Sequence, residues 1–163
     1  FHPSVEEVIY KLAAIQLCPV VMGQVAVELM VNPPQPGDES FEEFDAEYNG
    51  IFNTLKHRSS VLYKAFQEME GVECQAPEGA MYLFPKINFP QKALDEADAL
   101  NEVPDEMYCL QLLEETGICV VPGSGFGQKS NTWHLRTTFL APVEDYSVAL
   151  ANFHKKFMDK YRD

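Results

Sequence analysis

An α+β domain, with a small, largely antiparallel sheet packed on one side by helices, is the fold class this sequence predicts. Three observations carry that expectation. Apolar residues recur at helical spacing in long segments near both ends, whereas residues 72–75, 80–87, 118–121 and 133–139 are short runs rich in β-branched and aromatic side chains. The order is helices, two strands, helix, two strands, helix, without the strict alternation that builds a parallel sheet. A chain of 163 residues with 46% apolar and 12% aromatic content suffices for one well-buried core and rules out wholesale disorder.

The elements follow in order. Ser4 and Glu7 fit a capping box ahead of Val5, Val8, Ile9 and Leu12, and Pro19 should end this first helix near Leu17. A second helix is expected over Val20–Val31. The stretch Asn32–Asp38, with three prolines and a glycine, is the clearest linker. Ser40 and Glu43 form another capping box, and Phe41, Phe44, Tyr48, Ile51, Leu55, Leu62, Phe66 and Met69 then share one helical face up to the terminator Gly71. A helix of roughly thirty residues would be about 45 Å long, and it is expected to reach toward another body.

Two short strands should flank the turn Ala76-Pro77-Glu78-Gly79. Residues Asn88–Val103 are acidic and alanine-rich and are expected to form a solvated insertion with one exposed helix. Pro104 suits a first helical position, and Gly117 should stop that helix before the next strand. In the last strand Trp133, Leu135, Thr137 and Phe139 alternate with His134, Arg136 and Thr138, which predicts two unlike faces. Pro142 opens the final helix. Glu144 and Asp145 sit in its first turn, Lys155, Lys156, Lys160 and Arg162 lie toward its end, and Tyr146, Leu150, Phe153 and Phe157 form its apolar stripe.

Charge and spacing exclude several functions. Twelve basic against 25 acidic residues give a net charge of −13, which repels nucleic acid and anionic membranes, and no apolar run approaches a membrane span. Cys18, Cys74, Cys109 and Cys119 lie far apart without metal-ligand spacing, so buried free thiols and a reducing compartment are expected, and no metal site. His2, His57 and His154 have no partner spacing and are expected at the surface or in caps. The loop Gly123–Ser130 superficially matches a phosphate-binding loop. Gln128 stands where the glycine before the lysine is required, however, and a strand follows instead of a helix.

Arg136 is the sharper candidate. Alternation places it away from the core face, its planar fork suits a carboxylate, and the glycine loop would leave room for a small anion. The residue-level alternative is an arginine paired with one of the many acidic residues. His134 and Thr138 share its face and are expected to be satisfied polar neighbours.

Three motifs in fixed order, EGAMYLFP (Glu78–Pro85), TGICVVPGSGFG (Thr116–Gly127) and HLRTTF (His134–Phe139), make the chain resemble the C-terminal segment of fold type I pyridoxal-phosphate aminotransferases. The likeness is nearest the alanine-specific branch. It extends to KLAAIQLCP from Lys11, LMVNPPQPGD from Leu29 and YCLQLLEETGI from Tyr108, and matching is loose only over Asn88–Val103.

The resemblance implies that residues 1–39 form a helical segment and linker at the boundary to a missing large domain, and that 40–163 form the C-terminal small domain. It implies that Arg136 binds the substrate α-carboxylate beside a loop of Gly123, Ser124 and Gly125. It further implies amino-group exchange between L-alanine and 2-oxoglutarate on pyridoxal 5'-phosphate, small-molecule amino and 2-oxo acid substrates, and a homodimer in the full-length enzyme. The compartment expected is the cytoplasm, with the mitochondrion as the other possibility. The lysine that carries the cofactor belongs to a serine-lysine-glycine context found at none of the nine lysines here. No catalytic or cofactor-binding residue is therefore expected in this chain, which should be a piece of a longer protein and inactive alone. The competing readings are an aromatic, kynurenine-type or aspartate-type aminotransferase, and a non-catalytic α+β regulatory or interaction module.

Overall fold

The computed structural model describes residues 1–162. It divides into two compact units, one of residues Phe1–Asn49 and a second from Gly50 onward. The first holds α1 (Pro3–Ile15), α2 (Val21–Val31) and the start of α3 (Phe41–Glu68). Pro19 separates α1 from α2 as expected, but the α1 cap differs. His2 is the N-cap residue, with Nδ1 accepting the Ser4 backbone N–H at 3.3 Å, so Ser4 lies inside the helix and makes no capping box with Glu7. Neither α1 nor α2 has a buried residue, and Val8, Leu12, Val21 and Met30 stand exposed. With 28 residues, α3 is about 42 Å long at 1.5 Å per residue.

The second unit holds the core. Its sheet consists of β1 (Val72–Glu73), β2 (Tyr82–Leu83), β3 (Lys86–Ile87), β4 (Val121–Pro122) and β5 (Trp133–Thr138), and every pairing is antiparallel. β5 is the hub: it pairs with β2 and β3 along one edge and with β4 along the other. The expected strand over residues 80–87 is broken in two at Pro85, which has no N–H to give the ladder, although the Leu135 N–H still donates to the Pro85 carbonyl at 3.1 Å. The register survives the break. Tyr82 lies opposite Thr138 and Lys86 opposite His134, which sets Phe84 opposite Arg136.

The β5 alternation is observed. Leu135, Thr137 and Phe139 are buried, while Arg136 is partly exposed and Thr138 exposed. Helices cover the buried side: Leu62 and Phe66 of α3, Met107, Tyr108 and Leu112 of α5 (Pro104–Thr116), and Leu150, Phe153 and Phe157 of α6 (Val143–Tyr161). Tyr108 is the centre of an aromatic cluster, with ring centroids 5.1 Å from Phe153 and 4.9 Å from Phe157. Gly117 ends α5 in the left-handed conformation, at φ +74°.

Three further expectations are corrected. The acidic segment contains α4 (Gln91–Leu100), which is not an exposed insertion: Ala93 and Ala97, one turn apart, are fully buried, because a methyl group lets the helix approach the core closely. His154 is buried, not at the surface, with Nδ1 at 3.0 Å from the Tyr108 hydroxyl and Nε2 donating to the Glu70 carbonyl at 2.8 Å. Burial holds its pKa below the ordinary value, with the Glu70 carbonyl and carboxylate opposing. Of the four free thiols only Cys109 is buried, while Cys18 and Cys119 are exposed and Cys74 intermediate. No described helix is long and apolar enough to cross a membrane.

Candidate functional site

The side of the sheet away from the helices presents two rows of side chains, one of Tyr82 from β2, Phe84 from the link that follows it and Lys86 from β3, the other of His134, Arg136 and Thr138 from β5. Arg136 lies between aromatic rings. Its guanidinium carbon is 5.0 Å from the Tyr82 ring centroid and 4.6 Å from that of Phe126. Among the described residues it makes no ion pair or hydrogen bond, so the alternative of an arginine spent on a local carboxylate does not hold. Cation–π attraction to both rings holds the guanidinium in place and leaves its N–H groups unspent.

Phe126 comes from the glycine loop. After β4 the chain makes a 3-10 turn, Gly123–Phe126, and Gly127 follows in the left-handed conformation at φ +68°. Gly123 is buried against β5: a Cβ there would lie 2.7 Å from the His134 Cβ and 3.0 Å from the His134 carbonyl oxygen. Gly125, in contrast, has open space where a side chain would stand. The turn does not aim its amides outward as a phosphate-binding loop does. The Ser124 N–H donates at 2.9 Å to Oδ2 of Asp105, a residue 1% exposed at the start of α5, and the Ser124 hydroxyl reaches Glu106 at 3.3 Å.

The same Asp105 oxygen accepts from Nε2 of Gln128 at 2.7 Å, and Oε1 of Gln128 lies 2.9 Å from Nδ1 of His134. Because Oε1 only accepts, this contact assigns the His134 proton to Nδ1. His134 stacks on Phe84 with centroids 4.8 Å apart and planes 7° apart. Its pKa is lowered, first by burial and then by the Lys86 charge, with Asp105 opposing. The other oxygen of Asp105 is buried without a partner among the described residues.

Lys86, the lysine of the open face, has its ammonium 3.1 Å from a Glu73 carboxylate oxygen, and Lys11 and Lys160 are likewise ion-paired. The turn beside this face is hydrogen-bonded inward to Asp105 and does not offer the Ser124 amide to a phosphate. A polar hollow of about 690 Å³ adjoins the Tyr82 end of the face, lined among others by Tyr63, Glu78, Gly79 and Phe84.

Sequence reasoning selected Arg136, Gly123, Ser124 and Gly125, and the fold brings these into one neighbourhood through β5 and the turn. It passed over Tyr82, Phe126, Asp105 and Gln128. Asp105 was disguised as an ordinary first-turn acid of a helix. Gln128 was noticed only as the residue that spoils a phosphate-loop motif.

The family model for aminotransferase class I and II matches residues 4–151. A mitochondrial alanine aminotransferase of Saccharomyces cerevisiae is 57% identical over 163 residues, all of this chain and 28% of the relative. A protein of the same yeast named an inactive alanine aminotransferase is 52% identical, again over the whole chain and 32% of its own length. An alanine aminotransferase structure from Pyrococcus furiosus aligns with a TM-score of 0.66 at 31% identity, covering 96% of this chain and 34% of that one. The chain thus spans about a third of the length of the proteins it matches.

Proposed function

The chain belongs to the class I and II aminotransferases, and on that footing we propose that the full-length protein moves an amino group between L-alanine and 2-oxoglutarate, yielding pyruvate and L-glutamate. This chain contributes the clamp for the substrate α-carboxylate. One observation carries the assignment: the Arg136 guanidinium, held between Tyr82 and Phe126, is left unpaired on the open side of the sheet. All four substrates have a carboxylate beside the reacting carbon, the feature a planar two-pronged donor recognises.

Residues 1–39 are the boundary segment to a preceding large domain and 40–163 the small domain that closes on it. Pyridoxal phosphate, when bound by that preceding part, supplies the electron sink that makes the Cα proton removable. The work of this chain is orientation. Two parallel N–H donors from Arg136 fix the carboxylate plane and so the direction in which the other Cα bonds point, which is the near-attack geometry the reaction needs. Gly123 lets the turn lie against β5, and Ser124 and Gly125 complete the loop beside the bound acid. The active protein is a homodimer in the cytoplasm or, as the name of the yeast relative suggests, the mitochondrion, and four free thiols suit either.

The test is turnover by the full-length protein. Pyruvate should form from L-alanine and 2-oxoglutarate, and this chain alone should form none. A preference for aromatic amino acids, kynurenine or aspartate would move the assignment to another branch of the family. Retained cofactor without any turnover would favour a non-catalytic protein, as the name of the second yeast relative implies for that protein.

A further inference from the structure

Both ends of the glycine turn are tied to one buried oxygen. Asp105 Oδ2 accepts from the Ser124 amide at 2.9 Å and from the Gln128 side chain at 2.7 Å, and Phe126 lies between those two residues. The Phe126 ring is the nearer of the two that face the Arg136 guanidinium, 4.6 Å against 5.0 Å for Tyr82. A line of contact therefore runs from the N-terminus of α5 through the turn to the open face of the sheet. Gln128 extends it to His134, which stands two residues from Arg136 on the same side of β5.

Core stability does not explain Asp105. It is 1% exposed, and its second oxygen has no partner among the described residues, a condition that costs stability and that an apolar side chain of similar shape would avoid. The two bonds its carboxylate does make both go to the turn, and bonds to an ionised acceptor are the stronger kind. They fix a short loop whose glycines leave it few side-chain contacts of its own.

We propose that Asp105 is a positioning residue for carboxylate recognition, holding the Gly123–Gln128 turn so that Phe126 and Tyr82 form a slot that presents the Arg136 fork edge-on. The proposal rests on the reading of Arg136 as the clamp. A loosened turn would leave the guanidinium charged and present but free to tilt, so binding would weaken without being lost.

The experiment measures calorimetric binding of propionate, a carboxylate with no amino group to react, to the full-length enzyme and four variants. Arg136→Ala should abolish detectable binding. Asp105→Asn keeps the shape but not the charge, Gln128→Met removes one tether, and Phe126→Leu removes one wall at an exposed site that the fold does not need. Each should raise the propionate Kd about tenfold, and Asp105→Asn combined with Phe126→Leu should be no weaker than the worse single variant, because both act through one element. A purely structural Asp105 would instead leave the Kd of the folded variants unchanged or give additive losses, and either result overturns the proposal. If Asp105→Asn fails to fold, Gln128→Met and Phe126→Leu decide by the same criterion. If Arg136→Ala binds propionate normally, the clamp reading fails and this proposal fails with it. Loss in Arg136→Ala with normal affinity in the other three overturns the positioning role alone.

Discussion

Replacing Arg136 removes a donor whose worth can be set from its surroundings. The guanidinium lies between the rings of Tyr82 and Phe126 with no carboxylate competing for its N–H groups, so a substrate carboxylate would gain two charge-assisted bonds. Such bonds contribute about 1.5–3 kcal/mol each, and truncating one partner of a buried charge pair costs about 2–5 kcal/mol. At 1.4 kcal/mol per factor of ten, Arg136→Ala should lower kcat/KM for L-alanine by about 30-fold to several thousand-fold. Arg136→Lys keeps a cation in the slot but gives up the second prong, and should lose roughly 10- to 150-fold. The decisive assay compares L-alanine with ethylamine, the same amine without its carboxylate, as amino donors to the full-length enzyme. In the amino-donor half-reaction, followed before any 2-oxo acid is added, the rate with ethylamine should be unchanged by either variant, so the alanine-to-ethylamine ratio should fall by the whole factor. Equal losses for both donors, or no loss for either, would refute the clamp and indicate that Arg136 supports the fold or nothing at all.

Other outcomes follow from the same contacts. Gly123→Ala should destabilise the second unit by about 1–3 kcal/mol in denaturant unfolding, since the new methyl meets the His134 backbone carbonyl at 3.0 Å and a paired strand cannot give way as a side chain can. His154 is buried with its pKa depressed from about 6.5, so the unfolded chain binds the extra proton. Stability should therefore be intact above that pH and fall as the pH drops toward the folded value, at up to about 1.4 kcal/mol per unit; His154→Gln should flatten the slope. Tyr108→Phe leaves Nδ1 of His154 buried and unpaired and should cost about 1–3 kcal/mol by the same unfolding measurement. In thiol-labelling kinetics Cys109 should be the last cysteine to react, because burial pushes its thiol up to about 12, whereas Cys119 is exposed and should react early.

What the sequence disclosed and what it hid divide along a physical line. The two faces of β5, the stripe of α6 and the Gly117 stop were legible because each depends on a spacing of two, of three to four, or on one backbone angle. The burial of α4 was not, because alanine and acid at these spacings describe equally a solvated helix and one laid close on a core; only the position of α5 and α6 chooses between them. His154 escaped for the same reason, since its partners come from Tyr108, 46 positions away, and from Glu70, 84 positions away. Arg136 was found because strand alternation says which way a side chain points, but alternation says nothing of what stands opposite it. The slot needed the register that brings β2 alongside β5, and the turn that swings Phe126 over. Gln128 makes the point most directly. As a letter in a motif it disqualified the loop from holding a phosphate, and as a side chain in space it is one of the two groups that fasten that loop to Asp105, a role that the motif comparison has no means of showing.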